Sequence, residues 1–124
     1  AWKAGPQTAM LHEQLKALPD GGTYALSIPL APYRCPPGPY ERACMVASYF
    51  KQAKPKSKVL VLDANPEVQS KKALFERAFA QHYQGILEYR ANNEVKEVVT
   101  QGSQLVAKLE FDDVKADVLN VIPA

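Results

Sequence analysis

Residues 23–63 read TYALSIPLAPYRCPPGPYERACMVASYFKQAKPKSKVLVLD, and this stretch decides the fold. Its two ends, Thr23–Pro29 and Lys58–Asp63, are short apolar runs, which are typical of strands buried in a parallel sheet. Between them, Pro39–Ala53 carries apolar residues on one helical face, and Pro39 suits the first turn of a helix. The stretch therefore predicts one βαβ unit.

The rest of the chain extends this unit on both sides. Leucines at helical spacing predict a first helix over Pro6–Leu18, and turn residues end it before the first strand. After the unit we predict a helix over Ser70–Tyr83, a strand over Ile86–Arg90, a hairpin of Val95–Thr100 with Gln104–Phe111, and a last buried strand over Ala116–Ile122. The buried face of the Ser70–Tyr83 helix is assigned to Leu74 and Ala78, with Phe75 and Phe79 as further candidates. This order predicts an α/β, Rossmann-like fold with a parallel βαβ core and an antiparallel hairpin excursion.

The loop after the first predicted strand is unusual for a nucleotide-binding fold. We call residues 32–39 the proline loop, because they hold four prolines and one cysteine where a dinucleotide-binding domain carries glycines. Prolines stiffen the backbone and lack N–H donors, so this loop is poorly suited to wrapping a pyrophosphate. It instead fixes one thiol, Cys35, and this composition indicates redox chemistry.

Length and composition limit the number of domains and the kinds of binding partner that we expect. At 124 residues we expect a single domain over residues 1–124, and a net charge of +2 without a basic stripe argues against a nucleic-acid partner. No apolar run approaches the ~20 residues of a membrane span. The two cysteines and two histidines lack the spacing of a metal site, so we expect no bound metal.

Three segments of the chain carry a resemblance to a known family. They are residues 31–43, 56–63 and 115–123, which read APYRCPPGPYERA, KSKVLVLD and KADVLNVIP. Residues 1–5 and 20–23 add to it. Together they resemble the flavoprotein subunit of flavocytochrome c sulfide dehydrogenase, and specifically its second, NADH-domain-like segment.

This resemblance implies a segment of a larger flavoprotein that has two dinucleotide-type domains. The family is similar to disulfide reductases but takes electrons from sulfide, passes them through a redox disulfide to FAD, and delivers them to a c-type cytochrome subunit in the periplasm. It implies that Cys35 is one cysteine of that disulfide and that its partner lies beyond Ala124. The FAD site would then lie mostly outside this chain, and the isolated segment would be inactive.

Two residues of the proline-loop region are candidates for catalysis. Arg34 and the following helix N-terminus are sources of positive potential that would lower the pKa of Cys35, while a buried structural thiol is the alternative. Glu41 matches a glutamate that the resemblance associates with proton handling, and its alternative role is to support the first turn of the helix. Cys44 is interpreted as a core residue, although a bridge between Cys35 and Cys44 stays open.

Asp63 ends the second predicted strand, where a true NAD domain places a carboxylate for the ribose hydroxyls. Because no glycine fingerprint precedes it, we interpret Asp63 as a turn or cap residue and expect no NAD. Two other functions stay open at this point. One is a structural or docking domain that has lost nucleotide binding, and the other is an NADH-dependent disulfide reductase domain.

Overall fold

A parallel sheet of four strands forms the centre of the molecule in the computed structural model, which describes residues 13–18, 21–31, 38–69, 72–102, 104–110 and 112–122. The elements in chain order are α1 (13–17), β1 (Thr23–Ile28), α2 (Gly38–Ala53), β2 (Lys58–Asp63), α3 (Lys72–Arg77), β3 (Leu87–Arg90), β4 (Glu97–Gln101), β5 (Gln104–Lys108), β6 (Asp113–Ala116) and β7 (Val118–Val121). The parallel sheet has the strand order β3-β2-β1-β7, so the predicted βαβ unit is confirmed.

The helices cover one face of the parallel sheet. Side chains alternate along a strand, and on β2 Val59, Val61 and Asp63 point to the helices while Leu60 and Leu62 point to the opposite face. The main hydrophobic core joins the helix-facing residues of the sheet to α1, α2 and α3. Burial of this apolar surface is the principal stabilising contribution, at roughly 25 cal/mol per Å².

A second, antiparallel sheet with the order β4-β5-β6 packs on the other face. The hairpin of β4 with β5 is confirmed, and Gly102 at its turn has a positive φ of 63°, which glycine adopts without strain. The last strand predicted within Ala116–Ile122 is confirmed as β7, Val118–Val121, whereas the strand β6, Asp113–Ala116, which precedes it, was not predicted.

Asp117 separates these two strands. Its backbone N–H donates to Thr23 O (2.9 Å), and its carboxylate Oδ2 accepts the N–H of Thr23 (2.9 Å). This reciprocal pair ties Asp117 to the start of β1, at the point where the chain leaves the antiparallel sheet and enters the parallel one.

The third predicted helix differs from expectation in form and in its buried face. It consists of α3 followed by a π-helical turn over Ala78–His82. Phe75 and Phe79 are buried, whereas Leu74 is 57% exposed, so the assignment of Leu74 to the buried face is wrong. The aromatic rings provide the larger apolar surface, and they turn the helix toward the sheet.

Candidate functional site

The candidate site lies at the carboxyl edge of the parallel sheet, where the proline loop starts. Ile28 at the end of β1 is the register partner of Asp63 at the end of β2. The loop after β1 and the turn after β2 therefore leave the sheet side by side. In open α/β sheets this edge is where ligands bind, beside the strand at which the order reverses. Here that strand is β1, which lies between β2 and β7.

Asp63 is fully buried at this edge, and both carboxylate oxygens accept hydrogen bonds from the protein itself. Oδ2 accepts the hydroxyl groups of Tyr40 (2.7 Å) and Tyr89 (2.6 Å). Oδ1 accepts the backbone N–H of Asn65 (3.0 Å) and its side-chain amide (2.8 Å). A buried carboxylate needs such partners, because desolvation without them is costly. The bond to the N–H two residues ahead is an Asx turn, so the turn role predicted for Asp63 is confirmed.

Asn65 connects this turn to the residues that lead into the proline loop. Its Nδ2 donates to Pro29 O (2.9 Å), and its Oδ1 accepts the N–H of Ala31 (2.9 Å). Asn65 is buried, with 3% of its surface exposed. The chain just before the proline loop is therefore held by a side chain of the β2 turn.

Tyr40 fixes the other end of the loop in a similar way. It is fully buried in the first turn of α2, and its hydroxyl both donates to Asp63 and accepts the N–H of Gln69 (3.1 Å). Its ring packs against Phe75, with 5.6 Å between the centroids. We call Tyr40, Asp63 and Asn65 the loop clamp, since together they hold the residues on both sides of residues 32–39.

Of the two catalytic candidates, Glu41 lies within the described residues and Cys35 does not. Cys35 lies outside the described residues, as do Tyr33 and Arg34. Glu41 lies in the first turn of α2 and is exposed, where its charge also complements the helix N-terminus. The structure does not test the role predicted for either Cys35 or Glu41.

Cys44 is a half-buried free thiol that packs against the main core, as its interpretation as a core residue requires. Burial, together with the smaller effect of the nearby Glu41 carboxylate, raises the pKa of this thiol to about 11. The thiol is therefore protonated at neutral pH, and a protonated thiol is a poor nucleophile.

A second buried polar cluster lies under α2, and the sequence reasoning missed it. Asn120 on β7 accepts hydrogen bonds through Oδ1 from Arg42 Nη1 (2.8 Å) and from the hydroxyl of Tyr24 (3.1 Å). Burial lowers the pKa of Arg42 and raises that of Tyr24. The available signal was the position of Arg42, four residues before Val46 on the apolar stripe of the helix.

An open cleft of about 660 Å³ lies beyond the end of β3. Its two basic side chains are each paired with a carboxylate, Arg90 with Asp112 (3.0 Å) and Lys96 with Glu94 (2.7 Å). Since these cations are balanced and the carboxylate of Asp63 is saturated, neither this cleft nor Asp63 offers an unpaired group to the pyrophosphate or ribose of FAD. The described residues contain no cluster of potential metal ligands and no helix that could span a membrane.

Several solved structures of oxidoreductases share this fold. A water-forming NADH oxidase from Lactobacillus brevis, solved with NADH, matches at a TM-score of 0.64 and 14% identity, over 96% of this chain and 24% of the oxidase. A HOCl-induced flavoprotein disulfide reductase from Escherichia coli, solved as a Cu(II) complex, matches at 0.61 and 16% identity, over 83% of this chain and 21% of the reductase. A ferredoxin reductase from Rhodopseudomonas palustris matches at 0.66 and 11% identity, over 94% of this chain and 26% of the reductase.

These similarities establish the fold, and they also show that the chain spans only about a fifth to a quarter of such enzymes. The α/β, Rossmann-like prediction is therefore confirmed. Residues 8–123 match the family described as the central part of the sulfide dehydrogenase (flavocytochrome c) flavoprotein chain. The predicted resemblance is confirmed by this match, and the chain belongs to that family as a segment of its redox flavoprotein.

Proposed function

We propose that the protein containing residues 1–124 as one domain oxidises sulfide and passes the electrons through FAD to a c-type cytochrome in the periplasm. The match of residues 8–123 to the sulfide dehydrogenase family carries this proposal. The activity is proposed for the whole flavoprotein, because this chain matches the central part of that family and spans about a fifth to a quarter of its structural relatives. We therefore expect the isolated segment to be inactive.

The proposed chemistry begins with a disulfide between Cys35 and a cysteine beyond Ala124. Hydrosulfide attacks one sulfur, a new sulfur–sulfur bond forms, and the bond between the cysteines breaks so that the other cysteine leaves as a thiolate. When the disulfide between the two cysteines re-forms, the bound sulfur is released at the oxidation level of the element, and each hydrosulfide has then given up two electrons and one proton. FAD, held by the rest of the protein, supplies the acceptor for the electron pair, and the cytochrome takes electrons singly.

Glu41 is the proposed acceptor of that proton. Its place in the first turn of α2 puts it two residues after the proline loop, and its exposure gives it access to solvent. A carboxylate can take a proton during sulfur transfer and then release it to water. Cys44 has no part in the exchange, because its raised pKa keeps the thiol protonated.

The test uses the intact flavoprotein and compares Cys35→Ser with Cys44→Ser. We expect Cys35→Ser to retain FAD and to lose sulfide-dependent bleaching of the flavin absorbance. Cys44→Ser should retain most of it, since Cys44 is a core thiol. Equal rates in the wild type and Cys35→Ser would refute the proposal.

Peptide mapping under non-reducing conditions identifies the bond itself. We expect Cys35 to be joined to a cysteine beyond Ala124, and sulfide should open this bridge. A free Cys35, or a bridge only to Cys44, would contradict the mechanism and leave a structural role for this segment.

A further inference from the structure

We propose that a cleft at the amino edge of the parallel sheet binds an organic anion that carries an apolar group. The cleft has a volume of about 510 Å³, and residues of both sheets line it. Its charged lining residues are Lys58 at the start of β2, Glu88 on β3 and Lys115 on β6. We call it the amino-edge cleft. Because β2 begins with Lys58 and ends with Asp63, the cleft and the loop clamp lie at opposite edges of the sheet.

The size of the amino-edge cleft and the apolar part of its lining suit a small organic molecule. Pockets that bind such molecules usually measure about 300–1,000 Å³, and apolar side chains form most of their walls. Leu60 and Ile86 line this cleft and are only half-buried, so each leaves apolar surface that a ligand can cover. Covering this surface removes it from water, and an apolar group on the ligand therefore contributes to affinity.

The charges of the amino-edge cleft favour an anion. Two of its three charged side chains are lysines, and both are exposed. Within the part of the chain that the structure describes, the ion pairs involve neither Lys58 nor Lys115. Lys58 Nζ donates to Gly85 O, and an ammonium group has further N–H donors for a ligand. A carboxylate bound here gains charge-assisted hydrogen bonds.

The cleft beyond the end of β3 has the opposite arrangement of charges. Its two cations, Arg90 and Lys96, are each paired with a carboxylate, and Glu110 adds a further negative charge to the lining. An anion in that cleft would have to compete with the carboxylates of the protein. Of these two clefts, the amino-edge cleft alone offers cations outside the described ion pairs, so the charge pattern assigns the anion to it.

The bond from Lys58 to Gly85 also lowers the cost of binding. A lysine side chain loses rotamer freedom when it is ordered against a ligand, but Lys58 is already held by a carbonyl oxygen. Gly85 has a φ of 83°, which glycine adopts without strain, and it precedes β3 in the turn that supplies this oxygen. One cation of the cleft is therefore ordered before the ligand arrives.

Equilibrium dialysis of the intact flavoprotein with 2-naphthoate tests the site, because this anion joins one carboxylate to an apolar ring system. We expect saturable binding that weakens about threefold in Lys115→Gln and about tenfold when Lys58→Gln is added. Lys96→Gln is the matched control, since it removes a lysine from the other cleft, and it should bind the probe like the wild type. Neutral 2-naphthamide, which keeps the rings, should bind about tenfold more weakly than 2-naphthoate.

Lysine acetylation by acetic anhydride, mapped by mass spectrometry, locates the bound probe in the same protein. We expect 2-naphthoate to protect Lys58 and Lys115 and to leave the reactivity of Lys96 unchanged. If Lys115 is unreactive before the probe is added, another part of the flavoprotein covers the cleft, and the proposal fails.

The binding data can also overturn the proposal directly. It fails if 2-naphthoate shows no saturable binding, if Lys115→Gln and Lys96→Gln bind it equally, or if 2-naphthamide binds as tightly. None of these measurements uses sulfide, so their outcome is independent of the proposed sulfide oxidation.

Discussion

The cluster of Arg42, Asn120 and Tyr24 shows how one amide can serve two buried donors. Asn120 Oδ1 accepts both Arg42 Nη1 and the Tyr24 hydroxyl, which link α2, β7 and β1. Arg42 is 8% exposed and Tyr24 is fully buried. Removing a shared acceptor costs more than removing one donor, because two desolvated groups lose a partner.

This difference gives a prediction for stability. We expect Asn120→Ala to lower the free energy of unfolding by about 2 kcal/mol and Tyr24→Phe to lower it by about 1 kcal/mol. Urea unfolding of the two variants measures both values. A larger loss in Tyr24→Phe would show that the hydroxyl, and not the shared acceptor, holds the cluster together.

Glu41 and Cys44 give a prediction for pH dependence at the same scale. The carboxylate of Glu41 contributes to the raised pKa of Cys44, so Glu41→Gln should lower that pKa from about 11. In a Cys35→Ser background, alkylation of Cys44 should then reach half of its maximum rate at a lower pH. Glu67→Gln, in which the charge is removed beyond β2, is the control. An unchanged profile in Glu41→Gln would assign the shift to burial alone.

Among the elements, the stacked rings of Phe75, Phe79 and Tyr89, which we call the aromatic ladder, explain why α3 and its π turn were only partly predictable. Phe79 stacks between Phe75 and Tyr89, with centroid distances of 6.4 and 5.7 Å. The leucine and alanine pattern suggested one buried face, but the large rings occupy the other. A π turn widens the helix by one residue per turn, and a pattern of period 3.6 cannot report it.

The ladder predicts a contrast between two substitutions in this segment. Phe79→Ala should lower the free energy of unfolding by about 3 kcal/mol, because it leaves a cavity between two rings. Leu74→Ala should change it by less than about 0.5 kcal/mol, since Leu74 is exposed. Chemical unfolding of both variants measures the contrast, and similar losses would show that the rings do not anchor the helix.

Other elements of the fold could be predicted from sequence patterns alone. The strands β1 and β2 and the helix α2 were predictable because continuous apolar runs and a helical stripe mark them directly. The break at Asp117 was not, since it depends on bonds to Thr23, which is 94 residues away. The candidate site was also only partly predictable, because its contacts join residues far apart in the sequence. Its cysteine stood out in the sequence, whereas the partners of Asp63 and Asn65 come together only through the fold.

At the scale of the whole molecule, the fold resembles that of a solved NADH oxidase, and side chains of the protein itself occupy the carboxyl edge of the parallel sheet. One relative was solved with NADH bound, yet here the carboxylate at the end of β2 accepts bonds from Tyr40, Tyr89 and Asn65. A ribose would have to displace these partners. The bonding of Asp63 therefore argues against a ribose at this position, and sulfide stays the electron donor that we propose.

The intact flavoprotein allows a direct comparison of the two donors. We expect sulfide to bleach the flavin absorbance under anaerobic conditions and NADH to leave it unchanged at millimolar concentration. Because Tyr40, Tyr89 and Asn65 saturate the carboxylate of Asp63, we also expect no saturable NADH binding by equilibrium dialysis. Flavin reduction by NADH with a saturating concentration dependence would refute this prediction.

The clamp also has a consequence for how this part of the fold can be re-engineered. The hydrogen bonds that hold the chain on both sides of the proline loop come from the side chains at positions 40, 63 and 65. These three positions lie outside the loop itself. We therefore expect these bonds to survive an exchange of residues 32–37 for a segment of equal length, whereas Gly38 and Pro39 belong to α2 and are buried there. The loop sequence can therefore be varied without changing the side chains at positions 40, 63 and 65 that hold its two ends.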